Sequence, residues 1–488
     1  MTETRVSMRL GRYAWRRCLI AAPFVLIAAA TVAVRMYACQ APLWFDEAYP
    51  ITLSQRIGHL SDIIFVQHDD NRHHLIAFWD WMVGAAAPYW VYRIPSLLAG
   101  LALPALLYFA IEPRHGKRVA ALAAFLAFSS YHLLELSCEA RGYSLAMAFA
   151  AAGYLCCERF LRTRRPWTAP LFAACCILGF LSHLTFLYAY VGFVLWSAWE
   201  WRRQAWRNWA IEMLTLHGPV AAAMIWLYVV DLRFLYYANG PHYTLHTLLM
   251  QFMQLTFNIP QFGRDAMALA IAVLIAAGFA RVCWRSGGDW PLYLGVVATT
   301  AWAIHHRFQF NVAARHLVVG APFLMVLLAA ALDAALGFKY LRPLAIAVVL
   351  LFAAGGVRIG AMNFYPPAIG YAGAVRYMAD HSTVADGAIL CGDDDATDRL
   401  LLLFYARRGG IACPGYRQSP PPPWWIVPLS SPHPPVLSRD GHTYRSLRTY
   451  PIGGMAGGWD LYQLAPDKSF TAPSATSFPA AGSFRIAR

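Results

Sequence analysis

The chain has 488 residues, 59% hydrophobic and only 14% charged, with a formal net charge of +14. Soluble domains carry roughly a quarter charged residues, so this balance excludes an ordinary soluble enzyme and predicts an all-α polytopic membrane protein. The basic surplus sits in short clusters between apolar runs, which reads as membrane topology and contact with anionic lipid, with no nucleic acid as partner.

A membrane helix needs roughly 20 apolar residues. About eleven segments qualify, near 18–38, 93–111, 119–134, 143–160, 168–183, 184–200, 211–230, 266–284, 290–306, 316–337 and 343–361. Arg5, Arg9, Arg12, Arg16 and Arg17 precede the first, and no cleavage site is well placed after it, so it reads as retained. With the N-terminus in the cytoplasm, the inside loops are 114–118, 159–165, 202–207, 281–285 and 339–342, each short and basic. The outside segments hold Asp46, Glu47, Asp62, Asp69, Asp70, Asp80, Glu135, Glu139 and Asp231. Dividing 168–200 into two spans keeps every later loop in register with the positive-inside rule and puts the C-terminus outside.

The transmembrane domain thus runs over 1–361. A large first outer loop, 39–92, carries one or two interfacial helices marked by Trp79, Trp81, Tyr89 and Trp90. A second outer loop, 231–265, holds Tyr236, Tyr237, His242 and His246. Beyond 362 the chain turns polar. A small C-terminal α/β extracytoplasmic domain is expected over 362–465, with a strand at 388–390, an amphipathic element over 400–405 and an extended run at Pro420–Pro423. A loosely ordered tail follows over 466–488. The ten cysteines fit no metal-finger spacing. Cys156, Cys157, Cys175 and Cys176 lie in apolar runs as small hydrophobes, and a Cys391–Cys413 disulfide stays open if that region is outside.

The stretch Leu43-Trp44-Phe45-Asp46-Glu47-Ala48-Tyr49 sets two carboxylates among aromatics where the chain leaves the membrane. Carboxylates there cost free energy unless solvated, paired or bound to charge. One reading is a solvated helix end; the other is a catalytic carboxylate. Other charges gather at the outer ends too: His68 to His74, then Glu135, Glu139 and Arg141, then His183, then Arg264, His305, His306, Arg307, Arg315 and His316. Each has a plain alternative. Arg141 can pair with Glu135 or Glu139, Arg315 can anchor at the interface, and His183 can close a helix. The residues His68, Asp69, Asp70, His73 and His74 have metal-ligand types but no specific zinc spacing, so a divalent metal stays open. Together the groups suit chemistry on a lipid-linked anion. A carboxylate takes a proton from an attacking hydroxyl, and guanidinium forks hold the departing phosphate.

Four pieces in order carry a resemblance: Trp44 to Tyr49, Arg93-Ile94-Pro95-Ser96-Leu97-Leu98-Ala99-Gly100, Glu139-Ala140-Arg141-Gly142-Tyr143, and Ala314-Arg315-His316-Leu317 with Pro322. Spanning 18–361, they resemble the membrane-embedded C-type glycosyltransferases of the dolichyl-phosphate-mannose protein mannosyltransferase-like superfamily (family 39-like). That group includes bacterial transferases that move aminoarabinose or galacturonic acid onto lipopolysaccharide. The resemblance implies an inverting transfer of a sugar from a polyprenyl-phosphate donor to a glycolipid, lipopolysaccharide or protein acceptor. The place implied is the outer face of the bacterial cytoplasmic membrane, with the C-terminal domain in the periplasm. On this resemblance Asp46 is the base, and Glu47 supports it or a metal. Arg72, His73, His74, Arg141, Arg315 and His316 take the donor phosphate or sugar. Asp69, Asp70 and Glu139 form the acceptor side or a second acidic site. The chain departs from many relatives where they carry His/Lys-Pro-Pro-Leu-Tyr; here Asp69 to Ile76 has no proline, and Arg72, His73 or His74 stands in for a lysine. A flippase of lipid-linked sugars or a non-catalytic scaffold competes. A transporter would set charge mid-membrane on broken helices, and no internal repeat is evident; charges at helix ends favour the enzyme.

Overall fold

The computed structural model describes residues 29–69, 71, 73–235, 243–285, 288–307, 312–363, 370–382, 387–413, 421–429, 434–451 and 457–465. The expectations placed on Arg5 to Arg17, Asp70, Arg72, Tyr236, Tyr237, His242 and the tail 466–488 lie outside those residues.

Helix α1, described over 29–38, leads into the first long loop. That loop holds four short helices where one or two were expected: α2 (Phe45–Ser54), α3 (Asp62–Phe65), α4 (His74–Val83) and α5 (Tyr89–Tyr92). Asp46 and Glu47 occupy the first turn of α2, where the exposed N–H groups favour negative charge. The Glu47 carboxylate reaches back to the Trp44 N–H at 3.3 Å.

Helix α6 (Ile94–Ser129) covers two expected spans, separated at Gly116, whose φ of 81° suits glycine. Then come α7 (Tyr131–Ser137), α8 (Tyr143–Thr163), α9 (Thr168–Ser182), α10 (Leu187–Trp201), α11 (Trp206–Val230), α12 (Leu245–Thr256), α13 (Arg264–Arg285) and α14 (Trp290–Arg307). A 3-10 turn, Ala314–Gly320, runs into α15 (Ala321–Gly337), and α16 (Arg342–Asn363) closes the helical body. Among the described residues six helices are long and apolar enough to cross a membrane: Ile94–Ser129, Tyr143–Thr163, Trp206–Phe234, Arg264–Arg285, Ala314–Gly337 and Arg342–Gly360. The chain is a multi-pass membrane protein. Leu214, Ile225, Leu269, Val273, Leu350 and Leu351 on α11, α13 and α16 are exposed, and such continuous apolar faces need hydrocarbon as solvent. The second long loop, 231–265, contains α12.

Close packing needs small residues. A Cβ on Gly278 of α13 would stand 1.8 Å from the Leu327 carbonyl oxygen of α15. Asn258, in the left-handed region at φ 57°, accepts from the Tyr131 N–H (2.8 Å) and donates to the carbonyls of Ser129 (2.9 Å) and Phe352 (2.8 Å). One amide thus ties the end of α12 to α6, α7 and α16. Far along α6, the basic loop residues are matched by acids: Arg114 pairs with Glu158 (2.5 Å) and Glu200 (2.8 Å), and His115 meets Asp289 at 2.6 Å.

The C-terminal unit comprises α17 (Tyr371–Asp380), β1 (Cys391–Asp393), α18 (Ala396–Arg408), β2 (Trp424–Pro428), β3 (Val436–Arg439), β4 (His442–Pro451) and β5 (Gly458–Leu464). Its sheet runs β1-β2-β5-β4-β3, with β1 and β2 parallel and the other pairs antiparallel. The strand expected at 388–390 forms three residues later, and α18 realises the amphipathic element. Cys391 and Cys413 are thiols. Tyr371, Met378, Leu401, Tyr405, Ile426 and Trp459 share one apolar core with Leu43, Ala48 and Ile51 of the first loop. The Tyr405 hydroxyl donates to the Leu43 carbonyl at 2.5 Å, and Arg408 donates to the carbonyls of Ala85 (2.7 Å) and Ala87 (2.6 Å).

Asp398, buried in the first turn of α18, accepts from Trp459 Nε1 at 2.7 Å, yet burial pushes its carboxyl up to about 7. The fold therefore prefers the protonated acid. Its contribution is full below the unfolded value of 3.8 and is lost as pH rises through about 7. Asp398→Asn keeps the acceptor and cannot ionise. Melting midpoints in detergent at pH 5 and pH 8 are expected to show the variant gaining on the wild type at the higher pH, by an equivalent of about 2–4 kcal/mol. A constant difference across that range would refute it.

Candidate active site

Asp46 and Glu47 are neighbours with different surroundings. Glu47 is fully buried. Its carboxylate receives Arg93 Nε at 2.8 Å and Arg93 Nη2 at 2.6 Å, and the Ala140 N–H at 2.6 Å. The remaining Arg93 donors go to the carbonyls of Cys39 (3.0 Å), Ala41 (2.7 Å) and Pro42 (3.2 Å). This closed bidentate pair joins the α1–α2 turn, the start of α6 and the 139–141 loop. Both Glu47 oxygens are taken by protein donors.

Asp46 is turned to the other side. Its Oδ2 lies 2.7 Å from Arg315 Nη2 and 3.1 Å from Arg141 Nη1, with 13% of the side chain exposed. Arg141 also donates to the Asn71 side-chain oxygen at 2.6 Å and to the Asp46 carbonyl at 3.1 Å. Both guanidiniums sit over the Trp44 ring, at 5.1 Å for Arg315 and 6.0 Å for Arg141, which adds cation–π attraction. Arg141 therefore pairs with Asp46 and not with Glu135 or Glu139. Arg315 faces Asp46 and is no interfacial anchor.

A ring cluster adjoins the arginines. His73 stacks on His183 at 4.6 Å, Tyr143 lies 4.3 Å from His183 and 5.6 Å from His73, and His316 lies 6.4 Å from Tyr143. Gly142 permits this: a Cβ there would stand 1.8 Å from the Ser182 carbonyl oxygen. His183 and His316 each use Nδ1 as a local acceptor, from the Thr185 N–H (3.1 Å) and the Ala313 N–H (3.0 Å). Burial, and then the Arg141 charge, hold the His73 imidazole well below its ordinary range.

Other expected site residues fall elsewhere. His74 Nε2 and His68 Nδ1 each lie 2.7 Å from one oxygen of buried Asp231, tying the first long loop to the end of α11. Asp69 accepts from the Tyr49 hydroxyl (2.7 Å) and the Asn71 N–H (2.9 Å), a turn-forming role. Glu139 is near the cluster, with its Oε2 buried and without a partner among the described residues. Burial, and then Glu135 and Glu47, push its carboxyl well up. Asp80, given no role by the sequence, is buried with neither oxygen partnered among the described residues, and burial pushes it well up too. Among the described residues no group of three or more His, Cys, Asp or Glu is placed to hold a metal ion.

Several buried N–H donors around Asp46 have no partner among the described residues: Arg141 Nε, Arg315 Nε, Asn71 Nδ2, Trp44 Nε1 and, in one tautomer, His73 Nε2. Buried donors are costly unless satisfied, and anionic oxygens would satisfy them. Arg93, Asn71 and Trp44 were given no role from the sequence. The readable signal for Arg93 was a charge set directly before Ile94-Pro95 and an apolar run, which demands a partner.

The structure thus sets a carboxylate between two arginines at the ends of membrane helices, beside a small sheet unit. A family model described as dolichyl-phosphate-mannose-protein mannosyltransferase matches residues 82–228. That stretch, a little under a third of the chain, contains Arg93, Arg141, Tyr143 and His183. In fold the chain is similar to ArnT from Cupriavidus metallidurans. In the apo state the match covers 82% of this chain and 87% of that one at 13% identity, with a TM-score of 0.50. For ArnT bound to undecaprenyl phosphate it covers 91% and 98% at 12% identity, also with a TM-score of 0.50. No curated protein matches the sequence. Two of the four pieces that carried the resemblance, Arg93 to Gly100 and Glu139 to Tyr143, lie inside the family match, and the fold likeness extends over most of the chain.

Proposed function

We propose that this protein is a polyprenyl-phosphate-sugar-dependent glycosyltransferase that inverts the anomeric centre in one displacement. The observation that carries the reading is Asp46 between Arg315 and Arg141, whose buried Nε donors have no partner among the described residues. The donor's phosphate enters among those donors and shares the guanidiniums, which loosens their hold on Asp46. Asp46 then accepts the proton of an acceptor hydroxyl as that oxygen attacks the anomeric carbon. The bond from that carbon to the phosphate oxygen breaks, and its electron pair leaves on the phosphate. Arg141 and Arg315 meet the growing charge with fixed donors in a low-dielectric site. Glu47 and Arg93 are positioning residues for α2. Glu139 lies on the acceptor side, and Asp70 and Arg72 keep their expected roles there and at the donor phosphate. His74 and Asp69 act through the loop they shape.

This reading takes the chain as about eleven crossings over 1–361, with a unit at 362–465 and a tail at 466–488. The Asp46 end faces outward, in a bacterial inner membrane, with a glycolipid, lipopolysaccharide or protein acceptor. Arg114 supports that orientation, since it lies about 30 Å along α6 from Arg93 at 1.5 Å per residue. The undecaprenyl phosphate held by the similar ArnT supports the choice of donor.

The test is purification in mild detergent and mass spectrometry of the bound lipid. A polyprenyl phosphate or its sugar-charged form is the expected result, with its retention reduced in Arg315→Ala. A folded preparation that neither carries nor binds added polyprenyl phosphate would turn the reading toward a flippase or scaffold.

A further inference from the structure

We propose that His73 takes up a proton when the donor's phosphate binds, so that the site gains a third cation beside Arg141 and Arg315 only while it is loaded. This rests on the polyprenyl-phosphate reading above and adds a proton linkage to it. His73 stands at the N-cap of α4, is 6% exposed, and its Nε2 has no partner among the described residues. Among the described residues the groups that act on it most are Arg141, His183, His316 and His74, with the Tyr143 ring beside it. None of these supplies a negative charge. Arg141 and the imidazoles oppose a proton on His73, and His74 is committed to Asp231. The donor-free site therefore holds a neutral imidazole whose Nε2 has no partner among the described residues and which feels the Arg141 charge.

An entering phosphodiester reverses both influences. An opposite charge within about 4–6 Å favours the protonated form by roughly one to three pH units, and a phosphate oxygen gives the new N–H an acceptor. The proton comes from solvent, and no bond of the ligand changes. The added cation stands where the leaving phosphate acquires its second negative charge. A lysine at this place would be charged throughout and would repel the arginines in the donor-free state; an imidazole becomes charged only when that charge is needed.

The experiment titrates the full chain in detergent with undecaprenyl methyl phosphate, a diester that has no proton of its own to exchange near neutrality. Calorimetry at pH 5.5 in buffers of different ionisation enthalpy counts protons, and affinity is followed from pH 5 to 8.5. Wild type is expected to take up a fraction of a proton, with affinity falling by up to about tenfold per pH unit at the acidic end and levelling off at the alkaline end, where the bound imidazole is neutral as well. His73→Gln is expected to bind with no uptake and a flat profile, while His316→Gln keeps the uptake. Wild-type binding without proton uptake overturns the proposal, whatever the variants do; so does His73→Gln with undiminished uptake. If folded wild type binds no diester at any pH, the polyprenyl-phosphate reading itself falls. Asparagine at 73 replaces glutamine if the first variant does not fold.

Discussion

Asp46→Asn is expected to leave the protein folded and to cut sugar transfer about a hundred- to ten-thousand-fold, the usual contribution of a positioned base. The substitution keeps size and one acceptor oxygen. It removes the charge on which Arg315 and Arg141 converge at 2.7 and 3.1 Å. Both arginines remain directed at the phosphate position, so donor binding should hold or tighten while turnover is lost. That split separates a base from a structural carboxylate, whose loss would lower binding and melting together. The measurement pairs transfer rate with donor affinity and a melting curve. Near wild-type turnover would remove Asp46 from the chemistry.

The adjacent carboxylate should behave in the opposite way. Glu47→Ala strands Arg93, 3% exposed, without its counter-ion. Breaking a buried pair from one side costs about 3–5 kcal/mol, because the remaining charge is desolvated and uncompensated. The expected result is a large fall in melting midpoint and loss of activity as a consequence of misplacing α2. A second change, Arg93→Met in the same protein, removes the stranded charge and should recover much of the midpoint without restoring transfer. A single variant that melts like wild type would show that the pair holds nothing together.

These two residues show how far the sequence was legible. Position along the chain and the positive-inside pattern brought Asp46, Arg141 and Arg315 to one end of the helical body, because helix length and loop charge follow simple rules. Sequence could not say which carboxylate of an adjacent pair would be closed. That depends on Arg93, 46 residues downstream, reaching both oxygens. His73 and His74 posed the same problem: one helical step apart, one joins the ring cluster and the other pairs with Asp231 across a separation of 157 residues. The sheet was the least visible part. Strands β2 to β5 alternate poorly, since β2 and β5 are buried along most of their length and packing comes from α17, α18 and the first loop together. The first loop's four helices were undercounted because two of them are single turns whose ends are fixed by tertiary contact.

The bond from Tyr405 to the Leu43 carbonyl spans 362 residues. At about 5–20 residues per second of synthesis, the segment bearing Asp46 waits roughly 20 to 70 seconds for the helix that fastens it. Throughout that interval the nascent chain already carries its carboxylate and, later, both arginines, yet lacks the clasp over residues 85–87. A chain cut short before α18 would keep the Glu47–Arg93 pair and still lack the Tyr405 and Arg408 bonds to the first loop. The segment that bears Asp46 thus acquires its apolar cover from one of the later parts of the chain to be made.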